Sequence, residues 1–102
     1  MIRPAYFILE IDVRDPEGMK AYLAKVGASI EPYSVQFLVN GGELQALEGA
    51  PPVGKVVMLR FESMEAARAW YTSPAYREVL PHRLASAENR AYLVEGLEPA
   101  QA

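Results

Sequence analysis

His82 is the only histidine of the chain, and Arg83 stands directly beside it. An imidazole is the one side chain that titrates near neutrality without help, so His82 is a candidate general base or acid. Arg83 could hold a carboxylate or an enolate next to it. The plain alternative is an exposed histidine near a helix end, interacting with the last carbonyls. Tyr71 and Tyr76 come shortly before, with Trp70 adjacent to Tyr71. Each tyrosine keeps a hydroxyl that needs a partner when buried, so both could line a pocket or simply pack in a core. Ser73 is not a nucleophile candidate: no G-x-S-x-G elbow surrounds it.

A second group of candidates lies in the first half of the chain and just beyond it. Tyr6, Glu10, Asn40 and Arg60 fall in stretches that alternate apolar and polar residues. If the strands bearing Glu10 and Arg60 are neighbours, an arginine could grip an acidic substrate while the glutamate orients it or takes a proton. A structural ion pair, or two residues facing water separately, explains the same spacing. With one histidine and no cysteine, too few ligands exist for a metal site, and no metal is expected. Gly41-Gly42 lacks a phosphate-loop pattern and reads as backbone geometry.

The elements that must position these groups follow from periodicity. Residues 6–13 alternate strictly, with Phe7, Leu9, Ile11 and Val13 on one face, and predict a strand. Asp15-Pro16-Glu17 starts a helix, and Met19, Leu23, Val26 and Ile30 recur at helical spacing until Pro32 stops it. Residues 35–40 alternate again. Asn-Gly-Gly then bends the strand as a bulge, which continues over 43–48, or else makes a hairpin turn. Residues 55–62 give the third strand. Ser63 caps a second helix, Thr72-Ser73-Pro74 breaks and recaps it, and Pro81 ends or kinks the continuation. Residues 91–96 form the last strand. The order is β-α-β-β-α-β, an α+β ferredoxin-like subunit with an antiparallel sheet and its helices on one face. Residues 1–97 make the single domain, and 98–102 a short disordered tail.

Three strands each have one face without a polar atom, and helices should cover the greasier face. That assigns Phe7, Leu9, Ile11, Val35, Phe37, Val39, Val57, Leu59 and Phe61 to the helix side. The other face carries Ile8, Leu38, Val56 and Met58 beside Glu10, Asn40 and Arg60. A lone monomer would leave that patch in water. Two such sheets packed face to face make a homodimer and close a dimeric barrel.

Composition narrows the partners. A chain of 102 residues with 51% hydrophobic and 10% aromatic residues carries one core and apolar area to spare. The net charge of −3 and pI of about 5.1, with lysines and arginines scattered singly, argue against nucleic acid and against an anionic membrane surface. No apolar run is long enough to span a bilayer. Glu10 and Asp12 interrupt the N-terminal segment, which does not read as a signal peptide, and no disulfide is possible. The expected location is the cytoplasm.

The opening PAYFILEIDVRDPEGMKAY, the FLVNGGE segment and SMEAARAWYTSPAYREVLPHRLASAE carry a resemblance. From Ala5 to Leu97 the chain is similar to the bacterial domain-of-unknown-function family 1330, of the dimeric α/β-barrel class. The resemblance implies a ferredoxin-like subunit and a two-subunit barrel. Its recurring positions match Tyr71, Ser73, Pro74, Tyr76 and Arg83 here, and it supplies no catalytic residues. Wider kin include cofactor-free monooxygenases, muconolactone isomerases, stress-induced barrel proteins and haem-using peroxidases, an analogy of fold alone. The expectation is a homodimer with a cleft between sheet and second helix. It would bind, without cofactor, a small acidic or carbonyl-containing molecule and could transform it. His82 and Arg83 would act on that molecule, and Tyr6, Glu10, Asn40, Arg60, Tyr71 and Tyr76 would surround it, with Trp70 as a further apolar wall. The rival is a non-catalytic ligand-binding or stress-linked dimer in which the same residues pack.

Overall fold

A computed structural model describes residues 2–98. Strands β1 (Ala5–Val13), β2 (Gln36–Asn40), β3 (Lys55–Phe61) and β4 (Ala87–Glu95) form one antiparallel sheet in the order β2-β3-β1-β4. Helices α1 (Pro16–Ile30), α2 (Met64–Tyr71) and α3 (Pro74–Ser86) are the other main elements. This is the ferredoxin-like arrangement, with the second helical segment split in two. Among the described residues no helix is long and apolar enough to cross a membrane. The tail expected at 98–102 lies, apart from Glu98, outside the described residues.

The caps follow the sequence. Ser63 Oγ accepts from the Ala66 N–H at 3.0 Å and starts α2. Ser73 Oγ accepts from the Tyr76 N–H at 3.3 Å and starts α3 immediately before Pro74. Asp15 occupies the N-cap position of α1 but makes no side-chain cap bond. Pro32 does not stop the chain abruptly: α1 ends at Ile30 and a 3-10 turn, Glu31–Tyr33, follows. Pro81 lies within α3, which continues to Ser86.

Two strand boundaries differ from the periodicity. No strand forms over 43–48; the chain from Gly41 to Gly54 is an irregular loop. Gly41 has φ +72° and its N–H bonds to the Val56 carbonyl at 2.9 Å, so the chain leaves β2 in the left-handed region. At the far end of the loop a Cβ on Gly54 would collide with the Ile11 carbonyl oxygen, so the return to β3 requires glycine. The last strand starts at Ala87, directly after α3, rather than at Ala91. The polar run Glu88-Asn89-Arg90 hides it, because its side chains pair with groups elsewhere in the fold instead of alternating in hydrophobicity.

The core lies between sheet and helices. Phe7 and Leu9 of β1 and Leu59 and Phe61 of β3 meet Met19, Tyr22 and Ile30 of α1, Ala67 and Trp70 of α2, and Tyr76, Val79 and Leu80 of α3. Trp70 sits among Phe7, Phe61 and Tyr76, with ring centroids 5.1, 5.2 and 4.1 Å away. The helix-side assignment therefore holds for β1 and β3. It changes in β2.

Between Phe37 and Val39 the β2–β3 register shifts. Phe37 faces Leu59, but Val39 faces Met58 and Asn40 faces Val57. Leu38 and Val39 thus share the position opposite Met58, as in a β-bulge. The extra residue reverses the alternation beyond it. Val39 goes to the outer face with Ile8 and Met58, and Asn40 goes to the helix side.

Candidate ligand-binding cavity

A cavity of about 510 Å³ lies between α1 and the sheet. Phe7, Leu9 and Ile11 of β1 and Val57 and Leu59 of β3 form its floor. Met19, Leu23, Val26 and Ile30 of α1 form its roof, and Trp70 belongs to its wall. Met19 and Ile30 of this stripe are both core and cavity lining, whereas Leu23, which also lines the space, stays exposed. Phe37 also lines the space yet stays 55% exposed, so the cavity opens beside edge strand β2. Its polar side chains are Tyr22, Asn40 and Lys55. The larger space thus lies under the first helix, and the cleft expected between sheet and second helix is a smaller one. A smaller hollow of about 260 Å³ lies near α2, lined by Phe7, Tyr71, Ala91, Tyr92 and Leu93.

Behind the larger cavity runs a buried polar chain. Arg83, 1% exposed, donates from Nη1 to Asn89 Oδ1 at 2.9 Å and from Nη2 to the Tyr76 hydroxyl at 3.2 Å. The Tyr76 and Tyr22 hydroxyls are 2.8 Å apart. The Arg83 guanidinium also lies over the Tyr22 ring, 5.4 Å from its centroid. Its Nε has no hydrogen-bond partner, and no carboxylate among the described residues pairs with it. Burial foremost, and then Tyr76, pushes the Tyr22 phenol well above its ordinary range, so it stays protonated. Burial opposes the charge of Arg83, but the two phenol oxygens outweigh it and raise its pKa. Arg83 remains a cation.

The other sequence candidates are dispersed. His82 is exposed on α3 and lines neither hollow. Tyr71 lines the smaller hollow, with the Arg77 guanidinium 4.9 Å above its ring. Glu10 and Arg60 share the outer face without meeting. Glu10 stands opposite Val56, whereas Arg60 stands opposite Tyr6, four residues along β3 and roughly 13 Å away. Arg60 instead reaches Gln36 Oε1 at 3.5 Å.

Glu10, 5% exposed, has a different partner. Its carboxylate accepts from the Val53 N–H at 3.0 Å, from Arg90 Nη2 at 2.9 Å and from the Tyr92 hydroxyl at 3.3 Å. The Val53 bond foremost, and then Arg90, lowers its pKa below the usual carboxylate value. Of the nine residues expected around a substrate, Asn40 and Trp70 line the larger cavity, Asn40 because the bulge turns it there. Tyr76 and Arg83 stand one layer behind.

Sequence reasoning missed Tyr22 and Lys55. Tyr22 flanks the apolar stripe of α1, one residue before Leu23, and Lys55 shares the alternation of Val57 and Leu59. Each position placed a polar group on the helix side, which was the available signal. Among the described residues no three of His, Cys, Asp and Glu are grouped to hold a metal ion.

Residues 4–97 match the family described as Domain of unknown function (DUF1330). The chain belongs to this family. Solved structures similar to it share its fold. The RPA0582 protein of unknown function from Rhodopseudomonas palustris is 20% identical, with a TM-score of 0.71 over 97% of this chain and 86% of that chain. SnoaB, a cofactor-independent oxygenase from Streptomyces nogalater, is 13% identical, with a TM-score of 0.64 over 94% and 95%. The hypothetical Arabidopsis thaliana protein At3g17210 is 17% identical, with a TM-score of 0.64 over 93% and 89%. At these identities the likeness extends to architecture and not to chemistry. No curated protein matches the chain. For this DUF1330 member the functional reading therefore rests on its own cavity.

Proposed function

We propose that this protein binds a small, largely apolar organic molecule in the cavity beneath α1, as a cytoplasmic homodimer. The observation that carries the reading is the cavity itself. About 510 Å³ with apolar floor and roof and three polar side chains is the usual composition of a small-molecule site. Such a volume suits a mono- or bicyclic compound, and the polar groups suit a carbonyl or acidic function on it. Any transformation would draw on Tyr22, Asn40 and Lys55, since His82 lies outside. The cofactor-independent activity named for SnoaB is compatible with this reading through fold alone.

The opposite sheet face supports the dimer. Ile8, Met58, Leu38, Val39, Tyr92 and Val94 occupy it, and the last four are exposed in the single chain. Packing two such faces together removes that surface from water.

Trp70 supplies the test, because it is the sole tryptophan and forms part of the cavity wall. Titration with aromatic ketones and aromatic carboxylates should change its emission saturably and raise the melting temperature. Unchanged emission and melting temperature across the series would refute binding there.

A further inference from the structure

The hydrogen-bond chain behind the cavity has a direction. Arginine only donates, so the Tyr76 oxygen accepts from Arg83 Nη2. Tyr76 is fully buried, and its own proton must find an acceptor or remain orphaned. Among the described residues that acceptor is the Tyr22 oxygen, 2.8 Å away. The opposite polarity would send the Tyr22 proton to Tyr76 and strand the Tyr76 proton in the core. The order is therefore Arg83 to Tyr76 to Tyr22. The proton left over belongs to Tyr22, the one member of the three that lines the cavity.

We infer that Tyr22 is the hydrogen-bond donor of the cavity and that the ligand meets it with an acceptor oxygen, as a ketone, enolate or carboxylate does. This rests on the reading that the cavity holds a small molecule, and it specifies which chemical class. Two further observations agree. The Tyr22 phenol stays protonated, which makes it a donor rather than a base. Lys55 belongs to the same wall and forms no ion pair among the described residues, so a second positive group is free for an anionic oxygen. The buried charge of Arg83 polarises the chain, because hydrogen bonds in series strengthen one another in a low-dielectric interior. Arg83 and Tyr76 are thus positioning residues that act through Tyr22.

The test uses the full chain and a matched pair of probes, 1-tetralone and tetralin, which share a bicyclic skeleton and differ at the ketone. Wild type should bind 1-tetralone about tenfold more tightly than tetralin, the size of one buried hydrogen bond. The infrared carbonyl stretch of bound 1-tetralone should move to lower wavenumber. Tyr22→Phe should abolish both differences, with tetralin binding as the measure of whether the cavity itself is intact. Tyr76→Phe cuts the chain but keeps the Tyr22 hydroxyl, and should weaken 1-tetralone about threefold with a smaller infrared shift. Equal behaviour of 1-tetralone with wild type and Tyr22→Phe would overturn the inference and leave the cavity reading standing. An unshifted carbonyl band in wild type alone would overturn it too, whatever the variants do. Failure of wild type to bind either probe would bring down the cavity reading and this inference together.

Discussion

Asn89 Oδ1 accepts a hydrogen bond from Arg83 Nη1 at 2.9 Å, joining the start of β4 to the inner side of α3. Asn89 Nδ2 in turn donates to the Ala87 carbonyl at 2.9 Å, which fixes the amide orientation that presents oxygen to the arginine. A buried cation without a carboxylate partner depends on such neutral acceptors. Asn89→Ala removes one of them and leaves Nη1 buried with nothing to donate to. The expected loss of stability is about 1.5–3 kcal/mol in urea denaturation, the range for a hydrogen bond to a charged group. A loss under about 0.5 kcal/mol would mean that water replaces the amide and that the site is wetter than the structure indicates.

Glu10 sets an acid limit. Its pKa lies below the ordinary 4.5 because the folded state hydrogen-bonds and pairs its ionised form. A depressed carboxylate contributes stability that is complete above the unfolded value and is lost as pH falls through the folded one. Melting temperature should therefore drop as pH goes below about 4.5. Glu10→Gln keeps the shape but not the charge. The gap between wild type and this variant should be constant near neutrality and narrow through the acid range. A gap that does not change down to pH 3 would show that Glu10 is not depressed.

Ser29 and Trp70 make a third measurable pair. Trp70 Nε1 donates to Ser29 Oγ at 3.1 Å, and the same hydroxyl donates to the Val26 carbonyl at 2.6 Å. Ser29→Ala strips the indole of its acceptor inside the core. It should cost about 1–3 kcal/mol and alter the emission of the sole tryptophan. Unaltered stability and emission would place the indole N–H in contact with solvent through the cavity.

The proposed dimer has a direct test at the centre of the outer sheet face. Met58 stands opposite Ile8 on β1 and opposite the Leu38–Val39 bulge on β2. Met58→Glu places a charge where two apolar faces would meet, and desolvating it is unfavourable. Wild type should sediment at twice 11.3 kDa and the variant at 11.3 kDa, each at micromolar concentration. A monomeric wild type would remove the homodimer from the proposal without touching the cavity.

Much of this fold was legible because β1 and β3 alternate cleanly and Ser63 and Ser73 are strong caps. The site was harder to read for local reasons. A bulge leaves no mark in a run such as Phe37-Leu38-Val39, where every residue is apolar, so the crossing of Asn40 to the helix side could not be seen. Glu88, Asn89 and Arg90 look like a loop because each is polar, yet Arg14, Arg83 and Glu10 are their partners. Those partners are between 6 and 80 residues away in sequence, and only the folded register brings the more distant ones together. Pairing Glu10 with Arg60 was reasonable for neighbouring strands, but strand order alone does not give the offset along them. Tyr22 was passed over because it flanks a helical stripe whose apolar members draw attention first.

The bulge also permits a test of what places Asn40. Beyond it, Val39 pairs with Met58 and Asn40 with Val57. Deleting Leu38 would make the ladder regular and keep those same pairs, since the deletion removes the extra residue and nothing else. Asn40 should then stay on the helix side, and the affinity for 1-tetralone should remain within about threefold of wild type, under 1 kcal/mol. Inserting one alanine after Val39 shifts the next residues by a position and, where the ladder stays regular, turns Asn40 to the outer face. That insertion should weaken 1-tetralone and tetralin alike by about tenfold, because it moves the exposed Asn40 side chain out of the cavity lining and leaves the Tyr22 donor in place. If the deletion weakens binding as much as the insertion, the bulge acts through the shape of the cavity mouth rather than through the register of Asn40.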